Sequence, residues 1–354
     1  MKKRKIFFLG ESFRPDAITW MNGLKEFGNF EVFSWELKTP NHTKINRILR
    51  TIEFLFALIK IKRIIAREKP DMVIAERTTS YGFLAVLSGV KPVAIAQQGQ
   101  TDLWPKDSFT LPLKKIIQHY AFKNADIIHA WGLVMTISMK KANVDMSKVL
   151  VLPKGINLNN FTNHNISDTN KICAIVTRSL SPEYGHKTIL KAFHILHQQG
   201  VDFKLTIVGD GTQISTLKQL AKDLSIEHKV IFTGRVLNSE LPQLLQESNI
   251  YISMPITEGV SSSLFEAMAC SCYPIVTDIS GNRCWIKHQE NGNLVQIDNF
   301  KSLADEIMWS FTNKNHRKQA VINNRAFVEA NANYKTNMKI ISAKYHEMIE
   351  ANRA

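Results

Sequence analysis

The sequence is poor in what would send a chain into a membrane, an oxidising compartment or a metal site. Nowhere in its 354 residues is there the run of roughly 18 to 20 apolar side chains that a spanning helix needs. Met1 to Lys5 is basic, but only Ile6 to Leu9 follows as an apolar run before Gly10 and Glu11, so no secretory leader is expected. The four cysteines, Cys173, Cys270, Cys272 and Cys284, lack metal-ligand spacing and read as reduced core or loop thiols of a cytoplasmic protein. Internal repeats and low-complexity tracts are missing as well, which excludes a solenoid or a disordered scaffold. There is no aromatic-interleaved basic strand and no DNA-reading helix, so no nucleic acid is expected as a partner.

What is present is a globular composition, 44% hydrophobic and 21% charged, long enough for two domains that each bury a core. The net charge of +14 is uneven: residues 1–160 carry +12 and residues 161–354 only +2. The first half therefore meets, or at least tolerates, something anionic.

Short apolar runs alternate with helical patterns along the whole chain. Lys5 to Leu9, Phe30 to Trp35, Asp71 to Ala75, Pro92 to Ala96, Asp126 to Ala130 and Val149 to Leu152 read as strands. Gly10-Glu11-Ser12 forms a tight turn after the first, where backbone could approach a ligand. Residues 157–170 are rich in Asn with few apolar side chains, as a linker would be. The alternation then restarts with strands at Ile172 to Thr177, Phe203 to Val208, Val230 to Thr233 and Ile250 to Met254, which argues for parallel, doubly wound sheets. Gly209-Asp210-Gly211 lacks the third glycine of a dinucleotide fingerprint and by itself says only that the chain turns tightly there.

Lys44 to Lys69 is helical by pattern, with Ile45, Ile48, Leu49, Ile52, Leu55, Phe56 and Ile59 on one broad face. Eight basic side chains accompany two acidic ones across residues 41–70. Two readings share this periodicity: a helix lying on an anionic membrane surface, or an ordinary helix covering the sheet with its charges solvated.

The most informative stretch runs from Ile250 to Val276, IYISMPITEGVSSSLFEAMACSCYPIV. A strand breaks at Pro255, a loop carries Glu258, and a helix expected to start at Ser261, Ser262 or Ser263 carries Glu266 on its first turn or so. Both carboxylates can then face the crevice at the carboxyl end of a parallel sheet, with an anion site behind the serines. The chemistry this pattern suits is a diphosphate held by backbone N–H groups and sugar hydroxyls held by carboxylates.

With VLPKGINLNNF (151–161), FKLTIVGDGTQISTLKQLA (203–221), VIFTGRV (230–236), the Glu258 to Glu266 pair, AMACSCYPIVTD and ENGNLV (290–295), the chain resembles the retaining glycosyltransferases of family 4. The resemblance covers about Asp126 to Ile307 well and the N-terminal third only in strand order. It implies a GT-B architecture, two facing Rossmann-like α/β domains with the active site in the cleft between them. Residues 1–160 would be the acceptor domain and 161–330 the donor domain, with a helix over 331–354 crossing back to the first. Glu266 would hold the ribose, its place near a helix N-terminus helping to keep it ionised, and Glu258 would face the transferred sugar. Gly259, Val260, Ser261, Ser262, Ser263 and Leu264 would offer N–H groups, Arg235 and Val236 would bracket the base, and Gly10 would approach the donor from the first domain.

The family's diphosphate clamp, an Arg and then a Lys just before a Gly, is altered here. Arg178 stands one position early, Tyr184 occupies the Lys place before Gly185, and Lys187 could substitute only if its loop turns inward. A family His is also missing from the loop of Gln97 to Asp102, leaving Gln98 and Asp102 as acceptor-side candidates. The implied activity is a hexosyl-type transfer with retention from a UDP- or GDP-sugar, without metal or cofactor, the chain having no Asp-x-Asp pair. The implied acceptor is a saccharide, in particular a lipid-linked one of capsule, O-antigen or lipopolysaccharide assembly, met on the inner face of the cell membrane. A nucleotide-sugar epimerase of the same architecture and a non-catalytic nucleotide-sugar binder are the competing readings.

Overall fold

The computed structural model describes residues 3–39, 43–97, 99, 101, 103, 108, 110–162 and 171–353. The chain forms two compact units, Met1–Lys154 with Tyr334–Ala354, and Gly155–Asn333. Gln98 and Asp102 lie outside the described residues, as does the 163–170 part of the Asn-rich segment.

In the first unit, strands β1 (Lys5–Leu9), β2 (Glu31–Trp35), β3 (Met72–Glu76), β4 (Val93–Gln97), β5 (Ile127–Ala130) and β6 (Val149–Val151) alternate with helices. These are α1 (Pro15–Gly28), α2 (Lys44–Glu68), α3 (Phe83–Leu87), α4 (Leu111–Asn124) and α5 (Leu133–Lys141). The sheet is parallel in the order β2-β1-β3-β4-β5-β6. Every residue of β3, β4 and β5 is buried, which is why these strands read as unbroken apolar runs rather than alternating ones.

The second unit repeats the plan with β7 (Ile172–Thr177), β8 (Phe203–Val208), β9 (Val230–Gly234), β10 (Ile250–Ser253), β11 (Tyr273–Thr277) and β12 (Asn293–Val295). Its helices are α6 (His186–Gln198), α7 (Ile214–Asp223), α8 (Leu241–Gln246), α9 (Ser262–Ala269), α10 (Ser280–Arg283), α11 (Phe300–Thr312) and α12 (Lys314–Asn331). The order β12-β11-β10-β7-β8-β9 puts the reversal of winding between β7 and β10, the place where open α/β sheets take ligands at the strands' carboxyl ends.

The last helix, α13 (Tyr334–Ala351), returns the chain to the first unit and packs along α1. Its buried face centres on Met338, Ile341, Tyr345 and Ile349, and the Tyr345 hydroxyl meets Nε2 of the buried His129 at 2.6 Å.

Helix α2 sits unlike a sheet-covering helix. Ala57 and Ile61 are buried, whereas Ile45, Ile48, Leu49, Ile52, Leu55, Phe56 and Ile59 are 46–70% exposed. The expected periodicity is there, but most of the apolar face it produces points to solvent.

Candidate active site

The site is assembled from segments that leave the carboxyl ends of β7, β8, β9 and β10. After β7 comes Arg178, whose guanidinium is tied at two of its three nitrogens. Nε donates to Ser253 Oγ at the end of β10 at 3.0 Å, and Nη2 donates to the Glu258 carboxylate and to Ser261 Oγ. Its side chain is 13% exposed and that of Glu258 15%. Burial works against the charge of Arg178, but Tyr251, Glu258 and Tyr184 outweigh it, so the pKa lies above the ordinary arginine value. The Tyr184 ring lies 5.4 Å from the guanidinium carbon. Two residues far apart in sequence are thus one ion pair.

Helix α9 begins as the serines imply. Ser261 is its N-cap, with Oγ accepting from Leu264 N at 3.2 Å. That bond uses the Leu264 N–H, and Gly259 N–H donates to Glu258 Oε1 at 3.2 Å, so two of the six amides expected to face a ligand are engaged within the loop. Val260, Ser261, Ser262 and Ser263 keep N–H groups without partners among the described residues, at the positive end of the helix.

Glu266 is the fifth residue of α9, on its second turn rather than its first. Its carboxylate has no hydrogen bond or ion pair among the described residues. Burial pushes its pKa up to about 7, against the opposing pull of Arg178. The expectation is that the helix N-terminus helps to keep Glu266 ionised; on the second turn, where that influence fades, desolvation raises the carboxyl instead.

Next to Arg178 is a cavity of about 320 Å³ lined by Thr177, Arg178, Ser179, Val208, Gly209, Asp210, Arg235, Val236, Asn238 and Leu241. It brings Arg178 together with Arg235 and Val236, and adds Ser179, Asp210 and Asn238, which sequence reasoning did not single out. The missed signal was positional, since all three follow strand ends. Gly209, at φ 139°, shows why the turn after β8 needs glycine: a Cβ there would stand 2.3 Å from the Arg178 carbonyl oxygen. Lys187 is exposed on the first turn of α6, and no hydrogen bond or ion pair among the described residues joins it to Arg178 or Glu258.

The first unit also gathers charge at its strand ends, and the sequence reading overlooked most of it. Glu76, the last residue of β3, is fully buried, with neither carboxylate oxygen partnered among the described residues. Burial, with Asp16 adding to it, raises its pKa to about 7. Lys154 Nζ donates to the Asp16 carbonyl at 2.9 Å and lies 4.9 Å from the Trp131 ring centre, and burial pushes its pKa down to about 8. Glu11 accepts from Arg14, Arg50 and Arg77 at 3.4, 3.1 and 2.6 Å. Gly10, between Glu11 and β1, leaves room for the Phe8 ring and the Glu76 Cγ, which lie 2.7 and 2.9 Å from where its Cβ would be.

Comparison with known proteins finds relatives along both units. Residues 159–327 match the family described as "Glycosyl transferases group 1", and residues 21–131 match "Glycosyl transferase 4-like". The chain is 25% identical over 310 residues to the N-acetylgalactosamine-N,N'-diacetylbacillosaminyl-diphospho-undecaprenol 4-alpha-N-acetylgalactosaminyltransferase of Campylobacter jejuni, covering 85% of this chain and 82% of that one. It is 24% identical over 299 residues to the UDP-Gal:alpha-D-GlcNAc-diphosphoundecaprenol alpha-1,3-galactosyltransferase of Escherichia coli, covering 78% and 77%. The fold is shared with Anabaena HepE, solved in complex with UDP, at TM-score 0.79, 14% identity, and 97% and 100% coverage. It is shared equally with the sucrose-phosphate synthase of Thermosynechococcus elongatus, at TM-score 0.79, 15% identity, and 99% and 100% coverage. Matched along both units by the two family descriptions and sharing this fold, the chain belongs to the group 1, 4-like glycosyltransferases.

Proposed function

We propose that the enzyme transfers a hexose-type sugar from a nucleoside-diphosphate donor to a lipid-linked saccharide in surface polysaccharide assembly. The observation that carries the donor half is Glu266, a half-buried carboxylate with no partner among the described residues, in the field of Arg178 at the switch point of a doubly wound sheet. A ribose diol has two hydroxyl donors for it. Arg178 and the open amides of Val260 to Ser263 suit a diphosphate, Arg235 and Val236 the base, and Glu258 the hydroxyls of the transferred sugar. Gly10 and Lys187 are weaker members of the set, the first because side chains fill the space beside it and the second because it is solvated.

Transfer proceeds with retention and without a divalent ion. Cationic side chains and the α9 N-terminus stabilise the leaving diphosphate, and a phosphate oxygen takes the acceptor proton. The names of the relatives support a polyprenyl-diphosphate-linked acceptor, and they are transferases, which disfavours the epimerase and sensor readings. No helix among the described residues is long and apolar enough to cross a membrane. The reading for α2 is a peripheral one: its exposed apolar face enters the headgroup boundary of an anionic bilayer, with the exposed Lys60, Lys62, Arg63 and Arg67 at the phosphates.

Titration calorimetry with UDP and GDP and their sugars, with and without EDTA, tests the donor half. One of the nucleotides should bind, and affinity should rise by up to about tenfold from pH 6 to pH 8 as Glu266 ionises through its pKa of about 7. Glu266→Gln should remove that rise, and the difference between parent and variant cancels titration of the nucleotide itself. Absence of binding by every nucleotide would overturn the reading.

A further inference from the structure

We propose that Tyr184 is a positioning residue that orients Arg178 toward the donor diphosphate. The assignment rests on the donor reading above. Its ground is the geometry of the Pro182–Tyr184 turn and of the guanidinium beneath it.

That turn is clamped to the segment leading to Glu258. Gly185 closes it at φ 64°, so close to the Met254 carbonyl oxygen that a Cβ would stand 2.5 Å from it. Ile256 N–H donates to the Glu183 carbonyl at 3.0 Å. Tyr184 therefore has a fixed frame, and its ring faces the Arg178 guanidinium at 5.4 Å, within the range of a cation–π contact. Along its edge the same guanidinium is bonded through Nε to Ser253 and through Nη2 to Glu258 and Ser261.

These contacts leave Nη1 without a partner among the described residues. A guanidinium held on one face and along one edge has a single free corner, and its direction is set by the groups that hold it. A phosphate can then be met by Nη1 without breaking the pair with Glu258. Among the described residues, the other cation lining the neighbouring cavity is Arg235, which follows β9. His186, buried next to this turn with neither ring nitrogen bonded among the described residues, is kept neutral at a pKa of about 4 by burial and by Arg178. Lys187 is exposed on α6. With neither His186 nor Lys187 adding a charge at this turn, the orientation of Arg178 carries the contact there, and an aromatic face fixes orientation without competing for the phosphate.

The test is calorimetry of the full chain with UDP and GDP, using variants whose melting midpoint matches the parent's. Tyr184→Leu should weaken binding by about five- to tenfold, and Tyr184→Phe, which keeps the ring, should restore it to within about twofold. Tyr184→Met serves if the leucine variant folds poorly. In an Arg178→Lys background, which removes the planar face, Tyr184→Leu should cost no more than about twofold. Equal loss in both backgrounds would mean that Tyr184 acts directly or only structurally, and the assignment would fall. So would unchanged affinity in Tyr184→Leu. If neither nucleotide binds the parent, the donor reading itself is overturned, and this assignment with it.

Discussion

The two sheets end in charge at the same topological place, but they treat that charge differently. At the end of β10 and β7, Glu258 and Arg178 neutralise one another beside a cavity, and serine hydroxyls take up further donors. At the end of β3, Glu76 is sealed with neither carboxylate oxygen bonded among the described residues, in the company of Asp16 and the half-buried Lys154. The lesson concerns what each edge must do with charge. A paired edge can remain charged at neutral pH and present a surplus donor, whereas a sealed carboxyl is held neutral and weakens the fold as it ionises.

Three variants would break or sharpen that contrast. The largest effect is expected from Arg178→Ala, which breaks the ion pair with Glu258 and removes the donor to the leaving group. It should lower kcat/KM by about 10²- to 10³-fold in a transfer assay. Next comes α2, where Leu55→Asp with Phe56→Asp should reduce recovery with vesicles containing anionic phospholipid by at least about tenfold in a flotation assay. Parent protein that fails to float with anionic vesicles would return α2 to the role of a solvated helix, or of a contact with a second copy if the protein is dimeric in solution.

The smallest effect belongs to Glu76→Gln, and its sign is opposite. The fold raises the Glu76 pKa from 4.5 to about 7, so the neutral acid is the form it favours. The associated stability is present below about pH 4.5, is lost as pH climbs toward 7, and stays lost above it. Glutamine mimics the neutral acid at every pH. The variant should therefore gain about 1 to 2 kcal/mol at pH 8, read as a rise of a few degrees in Tm, and match the parent at pH 4.5. A variant less stable at pH 8 would mean that Glu76 is held charged by Lys154 and Arg77, and the two sheet edges would then be alike.

The strands were legible because parallel strands buried on both faces must be continuous apolar runs. Ile172–Thr177 and Phe203–Val208 appear with the limits their residues imply. Helix α2 was legible as a helix, yet its periodicity is the same whether its apolar face meets a sheet or solvent. Only tertiary packing distinguishes Ala57 and Ile61 from Leu55 and Phe56. Within the site, the serine cap of α9 could be read from local sequence because a cap is a local device. The pairing of Arg178 with Glu258 spans eighty positions, and no spacing rule reaches that far. The ionisation of Glu266 misled for a related reason. Helix position can be counted along a sequence, whereas desolvation depends on what the rest of the fold piles around the carboxyl.

Helix α13 carries one further consequence, for the order in which the molecule is made. The second unit is continuous from Gly155 to Asn333, while the first needs residues from both sides of it. During synthesis from the N-terminus, the second unit can close as soon as its own residues emerge, but α1 and His129 wait for Tyr334–Ala351. The unit translated first is the one that finishes folding last, and until then the face of α1 that α13 covers is exposed to chaperones and proteases.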